Sequence, residues 1–214
     1  MKFIVTSGPT RSYLDEIRYI SNYSTGALGT LVAKQAAARG HKVIQISGKG
    51  SIAASGKSIK NIEIETIEEL LAVLRKELKK NRKRPVAVIH AMAVLDFIAP
   101  KKIKGKVRSD RKSWTVRLVR SPKVMKEIKK MAPRVKLAGF KLEYKAGKKA
   151  LLNSAKKLLE ASAADYVVAN DFSGIKAGKH TAMIVGKSGF IKGNISGKER
   201  IAAELLKTIE GVKC

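Results

Sequence analysis

The 214-residue chain contains a single cysteine, Cys214, at its last position. One cysteine excludes an intrachain disulfide framework and a CxxC metal-ligand set, and this fits a reducing cytoplasm. Aromatic residues make up only 5% of the chain, so there is no base-stacking platform of the kind that single-strand nucleic-acid binders use. No apolar run reaches the length of a membrane span, and the apolar start at residues 3–6 is too short for a signal peptide; a soluble, cytoplasmic protein is expected. Covalent-catalysis signatures are missing as well. There is no GxSxG, no HExxH and no internal cysteine, and none of His41, His90 and His180 has an evident orienting partner. Chemistry on this chain would therefore rest on positioning and electrostatics.

Acidic residues are scarce too. Asp and Glu number 17 against 45 Lys and Arg, a formal charge of +28. Such a surface attracts polyanions, whether nucleic acid, anionic membrane or a multiply phosphorylated substrate. A generally basic proteome or a saline cytoplasm would account for the same composition. The hydrophobic fraction of 44% is that of a globular chain, and the length suits one core with no linker or internal repeat.

Short apolar runs at 3–6, 42–47, 86–91, 136–140 and 165–169 read as buried strands. A brief strand is expected at 62–64, an alternating one at 114–119, and a hairpin from 181–185 and 190–192 across Gly186-Lys187-Ser188-Gly189. Between the strands lie helical patterns: one after Asn22 with Ser24 or Thr25 as N-cap and Gly40 as stop, one through Ile67, Leu70, Leu74 and Leu78, one opened by Ser121-Pro122, one through Leu151 to Leu159, and a last one through Ile201 to Ile209. Residues 79–84 read as a basic, solvated turn. Strands alternating with helices predict an α/β, Rossmann-like, doubly wound and mainly parallel sheet, closed by a C-terminal hairpin and helix.

Gly8 follows the first strand, and Ser24-Thr25-Gly26 precedes the first helix. Small residues there let backbone N–H groups and the helix dipole meet a phosphate, although many such loops are only capped turns. A dinucleotide GxGxxG and a Walker A lysine motif are both absent. Asp96 follows a buried strand, where it could hold ribose hydroxyls or a metal, or merely cap a turn before Pro100. His90, inside the apolar strand, reads as a core histidine satisfied by a backbone partner. Residues 99–112 gather Lys101, Lys102, Lys104, Lys106, Arg108, Arg111 and Lys112, with only Ile103 and Val107 as anchors. They form either a mobile lid over a triphosphate or a solvated charge run.

Seven segments in order carry a family resemblance: 5–11 (VTSGPTR), 18–29 (RYISNYSTGALG), 91–97 (AMAVLDF), 105–109 (GKVRS), 121–124 (SPKV), 139–143 (GFKLE) and 164–171 (ADYVVAND). Together they resemble the phosphopantothenoylcysteine synthetases, in a stand-alone form without a decarboxylase half. The resemblance implies a single nucleotide-binding ligase domain over 1–214 that activates the carboxylate of phosphopantothenate as an acyl-nucleotidylate, releases pyrophosphate and couples cysteine, in coenzyme A biosynthesis. It implies CTP or ATP as co-substrate with Mg²⁺, and a homodimer whose site draws on both subunits. Asn22 then matches the asparagine that contacts the acyl intermediate, and Lys106 the lid lysine, with Lys102 or Lys104 as alternatives. Ser24, Thr25 and Gly26 fall on the phosphate loop beside Gly8. Asp96, with Ala91, Met92 and Ala93, falls in the nucleotide pocket, and Phe140 and Asn170 at neighbouring strand ends. Thr25 replaces the usual serine, Phe97 the usual tyrosine and Arg108 the usual lysine or serine. The competing reading is a non-catalytic protein of this fold that binds nucleic acid through its basic surface.

Overall fold

A computed structural model describes residues 1–110, 112–176 and 180–211, so Arg111 and Cys214 lie outside the described residues. The chain opens with β1 (Lys2–Ser7), buried from Phe3 onward. A hairpin that its polar sequence does not announce follows, β2 (Arg11–Tyr13) and β3 (Tyr19–Ser21). The first helix, α1 (Ala27–Ala38), is capped by Gly26 rather than by Ser24 or Thr25. Gly26 turns the chain at φ 76°, and the two hydroxyls reach only the N–H two residues on, at 3.4 Å each. Gly40, at φ 81°, stops the helix as expected.

β4 (Lys42–Gly48) and β5 (Ile59–Ile64) come next; β5 starts earlier than its apolar residues indicate because Lys60 and Asn61 face solvent at the sheet's edge. The Thr66–Glu69 capping box opens α2 (Ile67–Asn81), whose Leu70 and Leu74 are fully buried, each worth roughly 1.5–3 kcal/mol. β6 (Val86–His90) leads to the ribbon β7 (Phe97–Ile98) and β8 (Val119–Arg120). The strand expected over 114–119 is reduced to that ribbon's last two residues. Trp114 packs instead under the Arg18 guanidinium, 5.0 Å from its ring centroid.

The next helix, α3 (Val124–Met131), begins after Lys123 rather than at Ser121-Pro122. The Ser121 hydroxyl is already engaged, donating to the Leu95 carbonyl at 2.5 Å. The remaining elements are β9 (Lys136–Glu143), α4 (Lys148–Ser162), β10 (Tyr166–Asp171), α5 (Phe172–Lys176), the hairpin β11 (Thr181–Gly186) and β12 (Gly189–Ser196), and α6 (Lys198–Glu210).

Eight strands form one sheet in the order β12-β11-β10-β9-β6-β1-β4-β5. Those from β10 to β5 are parallel, while β11 and β12 are antiparallel. Alternation within the strands divides the core. Phe3 and Val5 pack under α1 and α6, and Ile4 packs under α2, α3 and α4. The first three parallel strands step outward from β1 on one side and the next three on the other, so the winding reverses between β1 and β6. That reversal opens a ligand crevice at the strands' carboxyl ends.

Candidate functional site

At the reversal the backbones of β1 and β6 stay in register beyond the strands. Ala91 N–H donates to Thr6 O at 3.0 Å, Ala93 N–H to Gly8 O at 2.8 Å and Thr10 N–H to Ala93 O at 3.3 Å. Ala91 and Ala93 therefore zip the crevice shut at its base. Above it sits a cradle made by Gly8, Gly26 and the turn after β4. Gly8 has φ 77°, and a Cβ there would stand 2.0 Å from Ser51 Oγ. A Cβ on Gly26, also at positive φ, would stand 3.1 Å from Gly8 N, so the two glycines allow the closest approach of these loops.

The first turn of α1 holds no acidic residue, leaving its N-terminal dipole uncompensated. A buried polar network fixes that helix to the sheet: Gln45 Nε2 donates to Ser7 Oγ and to Thr30 Oγ1, both at 2.9 Å, and Gln45 Oε1 accepts from Ala54 N–H at 2.8 Å. Ser51 Oγ is buried and has no hydrogen-bond partner among the described residues. Nothing in the sequence marks this serine, because only the approach of Gly8 brings it to the cradle.

Beside the cradle, between the ends of β6 and β9 and the start of α3, lies a cleft of about 420 Å³. Met92, Asp96 and Phe140 line it, together with His90, Lys123 and Lys141. Asp96 is mostly exposed and is paired with Lys123 Nζ at 2.5 Å, a surface pair that a ligand can displace at little cost. His90 Nδ1 lies 2.7 Å from Thr6 Oγ1, so its partner is a side chain and not the backbone. Burial pushes the His90 imidazole down to about 4, and it is neutral at pH 7.

Asn22 joins cradle and cleft: its Nδ2 donates to Val94 O at 3.0 Å, and Val94 lines the cleft. Asn170 is buried at the end of β10, between β9 and β11, and does not line the cleft.

The basic segment differs from a lid held by apolar anchors alone. Asp15, fully buried, binds it: Oδ1 accepts from Ile17 and Arg18 N–H at 2.9 and 2.7 Å, and Oδ2 from Val107 N–H at 3.1 Å. Burial works to raise the Asp15 carboxyl pKa, but these three N–H groups and Arg18 hold it below the usual range. Ile103 N–H donates to Leu14 O, Glu16 N–H to Gly105 O, and Arg18 Nη2 to Val107 O. Lys106 thus projects as an exposed cation from a strap pinned on both sides of it. Lys102 pairs with Glu16 at 2.7 Å and Arg108 with Asp110 at 2.5 Å, whereas Lys104 and Lys106 have no carboxylate partner among the described residues.

A further cluster braces the hairpin against the cradle. Glu65 takes Lys49 at 2.7 Å and Arg11 at 3.2 Å, and accepts from the Tyr13 hydroxyl. The Lys49 and Tyr13 hydrogen bonds bring the Glu65 carboxyl down to about 2, with Arg11 adding to them. Among the described residues no three His, Cys, Asp or Glu side chains gather to hold a metal.

Sheet order, reversal point and glycine cradle define a doubly wound α/β protein with a crevice at the carboxyl ends of β1 and β6. The chain belongs to the DNA/pantothenate metabolism flavoprotein C-terminal domain family, whose model matches residues 1–212. It is 34% identical over 209 residues to the coenzyme A biosynthesis bifunctional protein CoaBC of Thermococcus kodakarensis, covering 98% of this chain and 51% of that one. Identity to the Haemophilus influenzae protein of the same name is 26% over 208 residues, 96% of this chain and 50% of that one. The chain therefore spans about half the length of these relatives. The crystal structure of the DNA/pantothenate metabolism flavoprotein from Streptococcus pneumoniae superposes with a TM-score of 0.88 at 28% identity, covering 100% of both chains. A mutant Cab2 in complex with phosphopantothenate-cysteine shares the fold, with a TM-score of 0.79 at 18% identity over 98% of this chain and 86% of that one. No helix among the described residues is long and apolar enough to cross a membrane.

Proposed function

We propose that this chain is a ligase domain of coenzyme A biosynthesis that joins 4′-phosphopantothenate to cysteine at the expense of a nucleoside triphosphate. The observation that carries the reading is the meeting, at one reversal point, of an uncompensated helix N-terminus behind two positive-φ glycines and a displaceable carboxylate; an exposed lysine, Lys106, stands on a strap that Asp15 pins to the neighbouring hairpin. Family membership supports it, as does the ligand named for the Cab2 complex.

In this reading Gly8, Ser24, Thr25 and Gly26 present N–H and hydroxyl donors to the phosphates. Met92 and Phe140 form the apolar walls of the nucleotide pocket and Asp96 offers a carboxylate for ribose, with Ala91 and Ala93 setting its base and Asn170 supporting the strand end behind Phe140. The substrate carboxylate attacks the α-phosphorus of CTP or ATP, the bond to the β-phosphate oxygen breaks, and pyrophosphate leaves. The cysteine amine then attacks the acyl carbon, and the nucleoside monophosphate departs with one former carboxylate oxygen. Lys106 offsets the negative charge that builds on the transferring group, and Asn22 orients the acyl oxygen. Mg²⁺ would accompany the triphosphate, held chiefly by the phosphates and water.

We assign the active form as a cytoplasmic homodimer, with exposed Leu142 and Tyr144 beyond Phe140 as apolar surface for a second copy. The test is incubation of purified protein with phosphopantothenate, cysteine, Mg²⁺ and either CTP or ATP, with products identified by mass spectrometry. Equimolar pyrophosphate and phosphopantothenoylcysteine are expected with one nucleotide. No turnover with either, in folded protein, rejects the reading.

A further inference from the structure

A cavity of about 870 Å³ opens at the other end of the sheet, where β1, β6 and β9 begin. Its floor is apolar, with Leu78, Val86, Met131 and Val135. From the end of α2 and the turn after it come Arg75, Lys79, Arg82, Lys83 and Arg84. Arg134 faces them from the turn into β9, Lys136 lines the edge with its Nζ donating to the Ile209 carbonyl at 2.8 Å, and no Asp or Glu lines the cavity.

None of these cations has a carboxylate partner among the described residues, although the fold pairs lysines and arginines elsewhere. The C-termini of α2 and α3 meet here and favour cations, but each helix end carries only about half a negative charge. Two such ends offset roughly one of the six remaining positive charges. Nearby Lys2 registers the same field: burial first, and then Lys80, Arg84 and Lys60, lower its ammonium pKa against the pull of Glu77.

We propose that this cleft is a docking groove for an acidic protein segment carrying apolar anchors, a partner distinct from the substrates of the carboxyl-end site. The charge calls for a polyanion, and the shape and floor choose among polyanions. A nucleic-acid backbone has no use for an apolar floor, a duplex is too wide for a cleft of about 870 Å³, and no aromatic side chain lines the cavity to stack on single-strand bases. A helix or extended segment with Leu-like anchors and flanking carboxylates satisfies both floor and rim, as in recognition of an amphipathic segment by a groove. The inference does not depend on the ligase reading.

The experiment is fluorescence anisotropy with the intact protein and three labelled probes: a 16-residue Glu/Leu peptide with leucines at helical spacing, a poly-Glu peptide of equal charge, and a 16-base-pair DNA duplex. The Glu/Leu peptide is expected to bind at least tenfold more tightly than poly-Glu. The double substitution Arg84→Glu with Arg134→Glu, both in turns and without side-chain hydrogen bonds among the described residues, is expected to weaken it at least tenfold with unchanged circular dichroism. Equal affinity for the two peptides, or binding untouched by the double substitution, overturns the proposal. Duplex DNA binding more tightly than the Glu/Leu peptide and lost in the same variant overturns it in favour of nucleic acid.

Discussion

The two ends of the central sheet carry the same sign of charge but hold it differently. At the carboxyl ends several cations are placed against carboxylates that limit them, Lys49 and Arg11 on Glu65, Lys123 on Asp96 and Lys102 on Glu16, and Lys104 and Lys106 are the exceptions on the strap. In the proposed reading, affinity for an anion there comes largely from backbone geometry, from glycines at positive φ and a helix N-terminus fixed by Gln45. At the amino ends the backbone offers helix C-termini instead, and side chains alone supply the positive field. Backbone N–H groups fix distance and direction, so they suit a reaction. Long side chains adapt, so they suit association. Net charge alone distinguishes neither end.

The comparison is broken most severely at the reversal point. Replacing Lys106 or Asn22 by alanine is expected to lower ligase kcat/KM by about 100- to 1000-fold with an unchanged melting temperature. Steady-state kinetics beside calorimetry checks this, and near-normal turnover in both variants removes the site assignment.

Acid titration sharpens the contrast. The folded pKa of His90, about 4, lies below its unfolded value of 6.5, so the unfolded chain takes up the proton first as pH falls. The stability that neutral His90 supplies is complete above pH 6.5 and is lost on descending to 4, on the order of 3 kcal/mol. Glu65, brought from 4.5 to about 2, loses its contribution in the lower window, between those two values. Denaturant titrations at stepped pH should show two successive losses, the upper removed by His90→Gln and the lower, to which Asp15 and other bonded carboxylates also contribute, reduced by Glu65→Gln.

Asp15→Ala releases Val107 N–H and frees the strap that carries Lys106. A fall in kcat of about 10- to 100-fold is expected, with faster amide exchange at Val107 as the readout that separates positioning from contact with substrate. The smallest effect belongs to the cradle. Gly8→Ala should cost about 1–3 kcal/mol through positive φ and collision with Ser51 Oγ, and Ser51→Gly should restore part of it. A double-mutant cycle measures that coupling.

The strands flanking the reversal are legible because continuous burial demands continuous apolar runs, as in Phe3 to Val5 and Ala87 to Ile89. The hairpin of β2 and β3 is not, because its stability comes from Arg11, Tyr13 and Glu65, polar partners far apart in sequence. Ser24 and Thr25 lie where their motif indicates, yet the cap passes to Gly26 because only glycine takes the required φ without strain. Asp15 is silent in the sequence, since its role consists of accepting N–H groups from its own turn and from Val107. The seven segments implied site residues by resemblance, whereas Ser51 and the pinned strap emerge only from the packed chain.

The central claim, acyl transfer through a nucleotidylate at the ends of β1 and β6, is tested most directly by labelling the phosphopantothenate carboxylate with ¹⁸O and turning the enzyme over with cysteine and CTP or ATP. Half of the label is predicted in the nucleoside monophosphate and half retained in the amide product. Label in inorganic phosphate, with nucleoside diphosphate as the other product, would show a phosphorylated acyl group instead and contradict the account.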